Sequence, residues 1–207
     1  MVEGSDVRSR KREWTRAEIL SAAWELIRSQ GIAALSMRDL AAQVGMRAPS
    51  LYTYFPSKND LFDALYAQGM RQMDELVRNS PRGANPQETL RNRAKAFVSA
   101  AVQDPVRFQL LFERPIPGFV PSPSSLSIGA TRMQETAGMA EAAGLPGQKG
   151  LDLIMATTRG LVAMQIANEP GGERWVGLVE EAVDILIAHY TAGALPPAPR
   201  RRAKRTN

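Results

Sequence analysis

Between Arg47 and Tyr54 the chain sets out Arg47, Ala48, Ser50, Thr53 and Tyr54, a small and polar group that contains no acid. On one face of a short helix these side chains suit contact with a nucleic-acid duplex. A guanidinium binds guanine in bidentate fashion, and small side chains near a helix start let the backbone approach base edges. Hydroxyls, phenols and a nearby Lys58 suit phosphate contacts, which fix register without reading sequence.

Other chemistries find little support. The chain has no cysteine, which removes disulfide scaffolds, thiolate metal sites and Cys nucleophiles, and fits a reducing cytosol. Its only histidine is His189, so no cluster of His or Cys ligands for a metal can be built. Glu180 and Glu181 are adjacent and diverge on a helix, and no Gly-rich phosphate loop is present. The expectation is no catalytic site, no metal and no cofactor.

The net charge of +5 argues for DNA less than it first suggests. Residues 196–207 carry Arg200, Arg201, Arg202, Lys204 and Arg205 and no acid, so the whole excess sits in that tail. The remaining residues hold 21 basic and 21 acidic side chains. The tail follows Pro196, Pro197 and Pro199 and is expected to be disordered, adding at most a salt-sensitive, nonspecific attraction. No run of about 18 or more uncharged apolar residues is present, so no membrane span is expected. No apolar run follows the basic N-terminus, which argues against a signal peptide. A cytoplasmic, nucleoid-associated protein is the expectation.

The elements that must position Arg47–Tyr54 are short helices. Residues 1–13, with Arg8, Arg10, Lys11 and Arg12, read as a flexible basic arm, either solvated or reaching a minor groove. Thr15 and Glu18 form a capping-box pattern, and Ile19, Ala22, Ala23, Leu26 and Ile27 then recur at helical spacing up to a stop at Gly31. Ser36 caps a second helix, with Asp39 in its first turn and Leu40, Ala41 and Val44 on its inner face, ended by Gly45. A third follows near Arg47, with Pro49 in its first turn and Leu51, Tyr52 and Phe55 as its main apolar residues. Pro56 breaks it and Ser57 caps a longer helix. Helices are expected near 87–103, 105–113, 124–143, 147–168 and 174–192, with no strand pattern. The fold class is therefore all-α. Ser36 to Tyr54 reads as a helix-turn-helix, whose second helix can lie in the major groove.

Residues 15–61 resemble the DNA-binding region of the TetR family of bacterial transcriptional regulators. The string Gly45-Met-Arg-Ala-Pro-Ser-Leu-Tyr-Thr-Tyr-Phe-Pro-Ser-Lys-Asn-Asp-Leu61, preceded by the Ser36-x-x-x-Leu-Ala helix, carries the likeness. It covers about a quarter of the chain. The resemblance implies a homodimer whose two recognition helices read the half-sites of a palindromic operator. It places Arg47, Ala48, Pro49 and Ser50 against bases. It places Tyr52, Tyr54 and Lys58 on phosphates, with Ser36 and Arg38 joining from the preceding helix. Thr53 stands where many relatives have His, which leaves base or phosphate open for it. Met46 and Arg47 replace the commoner Val-Ser, and Arg47 is expected to shift sequence preference.

In the family the remaining helices usually hold a small effector whose binding moves the DNA-binding heads apart. Met and Phe line adaptable apolar pockets. Phe97, Phe108, Phe112, Met133, Met155 and Met164 are the candidates here, with Arg159 for an anionic group. The last two long helices are the expected dimer surface, through Leu161, Trp175, Leu178, Val179, Val183 and Leu186. The expected domains are an arm at 1–13, a helix-turn-helix domain at 14–60, an effector-binding and dimerisation domain at 61–195 and a tail at 196–207. The expected function is an effector-released repressor with DNA, a second copy and a small apolar effector as partners. Two rivals are a helical small-molecule binder that no longer binds DNA and an effectorless or activating architectural DNA binder.

Overall fold

The structure is a computed structural model that describes residues 3–192. It is helical, and among the described residues no strand occurs. The helices are α1 (Glu3–Gln30), α2 (Met37–Gln43), α3 (Ala48–Tyr52), α4 (Lys58–Arg78), α5 (Pro86–Gln103), α6 (Pro105–Phe112), α7 (Pro123–Ala142), α8 (Gly147–Asn168) and α9 (Val179–Thr191), with one 3-10 turn at Val176–Leu178. The expected tail at 196–207 lies outside the described residues.

The expected arm and the helix start at Thr15 are corrected. α1 is continuous from Glu3 to Gln30, and the Thr15 hydroxyl donates to the Lys11 carbonyl inside the helix at 2.9 Å. The capping-box pattern is a local signal, and here contacts made from α1 to the segment after α3 accompany the longer helix. Gly31 (φ +87°) and Gly45 (φ +65°) do end α1 and α2, in a backbone region that costs a Cβ-bearing residue energy.

The chain forms two compact units. One takes residues up to Asn79 together with Ser99–Met133; the other takes Ser80–Val98 and the chain from Gln134 onward. This differs from the expected division after residue 60, because α4 runs unbroken to Arg78 and packs with α1 and α6.

The first unit has a continuous core. Ile19, Ala23, Trp24 and Ile27 of α1 meet Leu40 and Ala41 of α2, Leu51 of α3, Phe55, Leu61, Phe62 and Leu65 around α4, and Leu110 of α6. Full burial of each large side chain contributes about 1.5–3 kcal/mol. That packing stabilises α2 and α3, which are too short to persist alone. Trp24 Nε1 donates to Gln68 Oε1 at 2.8 Å, and Arg28 pairs with Asp104, the N-cap of α6, at 2.6 Å.

In the second unit, Leu151, Ile154, Thr158, Val162 and Gln165 form the buried face of α8, and Val179, Val183 and Ile187 that of α9. Arg91–Asp184 and Lys95–Glu180 tie the first half and middle of α5 to α9, at 2.5 and 2.7 Å. The last helix was expected from residue 174, but the α-helix proper begins at Val179. Buried Gln165 intercepts the chain there: its side-chain oxygen accepts from the Trp175 and Val176 amides at 2.9 and 3.2 Å.

Candidate nucleic-acid interface

The site is built on α2, its turn and α3. Ser36 is extended and its Oγ accepts from the Arg38 and Asp39 amides at 3.2 and 3.4 Å, satisfying donors that the helix start leaves open. The Ser36 hydroxyl accepts both of these bonds and keeps its own proton to donate. Gly45 and Met46 close α2, with Met46 N donating to the Ala41 carbonyl at 2.8 Å, and turn the chain into Arg47. Arg47 occupies the N-cap of α3 with extended backbone and no side-chain cap bond, so its guanidinium is not drawn back to the helix. Pro49 stands in the first turn, where its missing N–H leaves no intrahelical partner unsatisfied.

Leu51 is fully buried and pins the inner side of α3. Arg38, Arg47, Pro49, Ser50, Tyr52 and Thr53 are exposed, while Ser36, Ala48, Tyr54 and Lys58 are half-buried. Among the described residues, neither Arg38 nor Arg47 has an ion-pair partner. The structure therefore brings all ten sequence-predicted contact residues to one local assembly of α2, α3 and the start of α4.

Besides Ser36, three of them have internal partners. Thr53 Oγ1 donates to the Ser50 carbonyl at 2.7 Å, so its proton is already used and it meets a ligand as an acceptor or through its methyl. Tyr54 packs against the core cluster and lies under the Arg12 guanidinium, 5.4 Å from the ring centroid. Lys58 Nζ sits 5.4 Å from the Phe62 ring centroid, a cation-π contact that holds the amine beside the helix start.

Two arginines of α1 lie behind the site: Arg12, which the sequence places only in a basic arm, and Arg16, to which it assigns no role. Arg12 Nη2 donates to the Thr53 carbonyl at 3.0 Å, and Arg16 Nη1 to the Tyr54 carbonyl at 2.8 Å. Burial holds the Arg16 guanidinium below its ordinary pKa, Arg12 lowers it further, and Asp60 opposes both. The available signal was the basic run from Arg8 to Arg12 with Arg16 one turn on.

The expected effector residues are placed less uniformly. Phe108 is buried and makes a tilted ring contact with Phe112, centroids 5.3 Å apart, one turn along α6. Phe97 is buried, and Met155 and Arg159 are half-buried. Met133 and Met164 are each about 40% exposed in this chain. Clefts of about 380 and 310 Å³ flank α1, and the expected pocket residues line neither.

The dimer candidates divide in the same way. Val179 and Val183 are corrected, since both are buried within this chain and offer nothing to a partner. Leu161, Trp175 and Leu186 are half-buried. Leu178 is 41% exposed, and Ile185, which the sequence reading had passed over, is 61% exposed.

Residues 19–65 match the family model for bacterial regulatory proteins of the tetR family. The chain is 28% identical over 187 residues to the HTH-type transcriptional repressor Rv1353c of Mycobacterium tuberculosis, covering 84% of this chain and 69% of that one. It is 31% identical over 101 residues to the HTH-type transcriptional repressor KstR of Rhodococcus jostii, covering 49% and 47%. Among solved structures, the putative regulatory protein SCO4313 superposes with a TM-score of 0.70 at 25% identity, over 86% of this chain and 97% of that one. FadR of Bacillus subtilis in complex with stearoyl-CoA superposes with a TM-score of 0.66 at 19% identity, over 83% and 97%.

Proposed function

We infer that this chain, a DNA-binding transcriptional regulator of the TetR type, binds a palindromic operator as a homodimer and leaves it when a small apolar effector binds. The outward face of α3 carries this reading: exposed Arg47, Pro49, Ser50, Tyr52 and Thr53, with no acid among them, above a single buried anchor at Leu51. In a major groove, Arg47, Ala48, Pro49 and Ser50 face base edges. Tyr52, Tyr54 and Lys58 hold phosphates, with Ser36 and Arg38 reaching the backbone from the N-terminus of α2.

Dimerisation draws on apolar side chains that the monomer leaves outside, Leu178 and Ile185 around α9, with half-buried Trp175 and Leu186 near them in sequence. For the effector, Phe97, Phe108, Phe112, Met155 and Arg159 are the candidate contacts. The Bacillus subtilis FadR neighbour holds stearoyl-CoA, so long-chain acyl thioesters are the first compounds to try. Effector and operator weaken each other's binding by one reciprocal coupling free energy. No catalytic role is assigned to any residue.

The test is selection of duplexes from a random-sequence pool by the full chain, followed by footprinting with and without acyl-CoA. A palindromic site protected in the absence of acyl-CoA and released in its presence is the expected result. Absence of any selected sequence, with Arg47→Ala and Tyr54→Phe changing nothing, overturns the operator half. A selected site that no apolar compound releases overturns the effector half.

A further inference from the structure

We propose that Arg12 and Arg16 are positioning residues that hold the C-terminal end of α3 by its main chain, and so set how that helix is presented to DNA. The proposal rests on the reading of α3 as the recognition helix.

α3 has five residues, and its end lacks the usual devices. Its C-cap is Thr53 in right-handed conformation, not a glycine, and its last turn holds no basic residue. Carbonyls at such an end carry the negative pole of the helix and lack intrahelical partners. Both of the next two carbonyls are met from α1. Arg12 takes the Thr53 oxygen and Arg16 the Tyr54 oxygen, at 3.0 and 2.8 Å. Each guanidinium also covers a ring of the same segment: Arg12 lies over Tyr54, and Arg16 over Phe55 at 4.2 Å. Phe55 itself is fully buried.

The arrangement has a cost that argues against accident. Like charges four residues apart on one helix repel. Arg16 is partly desolvated as well, with its charge opposed by Arg12. Both cations are nonetheless committed to the main chain of the segment that follows α3. A short helix fixed at one end by its carbonyls and along its side by Leu51 has little freedom to rotate about its axis. Rotation is what would carry Arg47–Ser50 out of register with the bases, and contact residues are only as well placed as their supports. The competing role for Arg12 is direct contact with a phosphate, and the two roles differ in their dependence on salt.

The experiment uses the full chain, with Arg12→Met, Arg16→Met, Arg12→Lys and Arg16→Lys, and a duplex that the wild-type protein selects from a random pool. Affinity is measured across a salt series. Amide exchange is followed through Leu51–Phe55 in the DNA-free protein, and circular dichroism checks the fold. The Met variants are expected to lose roughly tenfold in affinity, in line with the loss of a charge-assisted bond. The slope against salt should stay unchanged, and amides in Leu51–Phe55 should exchange faster. The Lys variants, which keep a cationic donor, should recover part of both. Unchanged affinity and exchange overturn the proposal. A salt slope lower by about one, with exchange unchanged, overturns it in favour of a phosphate contact. If Arg16→Met unfolds the protein, the Arg12 pair decides. Failure of the wild type to select any duplex sinks the recognition-helix reading instead, and the exchange measurement still judges the grip.

Discussion

Around α2 and α3 polar side chains face outward and the buried residues are apolar, from Leu40 and Leu51 to Phe55. Around α8 and α9 the pattern is partly reversed. Thr158 and Gln165 lie inside, while Leu178, Ile185 and Met164 stand on the surface. Each inversion has a physical reading. A polar surface over an apolar core, with no acid on its α3 face, seeks a polar, anionic partner. An apolar surface over a core that contains hydrogen-bonded polar groups seeks another apolar surface. What a region leaves uncovered is a better guide to its partner than what it buries.

The contrast can be broken or sharpened by substitution. Phe55→Ala has the largest expected effect. It opens a cavity beneath α3 in the first unit's core and should cost about 3–5 kcal/mol, read by urea unfolding, with DNA binding lost alongside. Ile185→Asp is expected to leave the helix content intact and weaken self-association by about a hundredfold or more, since a two-fold interface carries the change twice. If the wild type sediments as the proposed dimer, a variant of the same mass would remove α9 from the proposed interface. Arg47→Ala should weaken binding to the selected duplex by about 1–3 kcal/mol and relax preference at one base pair, with the melting temperature unchanged. Gln165→Leu leaves the Trp175 and Val176 amides without their acceptor and should destabilise the protein by about 1–2 kcal/mol, with faster exchange at the start of α9.

The smallest effect concerns pH. Burial pushes the Asp63 carboxyl upward, but hydrogen bonds from the Ser122 amide and the Ser125 and Ser122 hydroxyls outweigh it and hold the pKa below the ordinary 3.8. A carboxylate with a depressed pKa stabilises the fold above its unfolded value. That contribution is lost as pH falls from about 3.8 through the lower folded value. Asp63→Asn should therefore be destabilising at neutral pH and nearly silent in acid, as thermal melts across pH would show.

The sequence made the first unit legible because its elements are punctuated locally. Ser36 and Ser57 are N-caps in the structure, Gly31 and Gly45 take positive φ, and Pro49 sits in the first turn of α3. Such signals act within a few residues and survive without tertiary knowledge. The start of α1 was misread for the same reason, since the capping-box pattern at Thr15 says nothing of contacts with residues 41 and 38 positions away, made by Arg12 and Arg16. In the C-terminal helices the periodicity located α8 and α9 but not their sides. Broad apolar stripes do not reveal which residues meet the core, so Val183 was assigned outward and Ile185 overlooked. Only the packed structure distinguishes them.

The grip of α1 on the segment after α3 has a consequence for redesign. Arg12 and Arg16 grasp main-chain oxygens, which every amino acid supplies, so under the proposed function holding the helix and reading the bases would fall to different atoms. Exchange of residues 47–50 for those of another regulator should then transplant sequence preference while leaving the support intact. Exchange of residues 53–55 should not, since Tyr54 and Phe55 also lend their rings to the two guanidiniums. The boundary of a transferable recognition cassette would lie between Ser50 and Thr53.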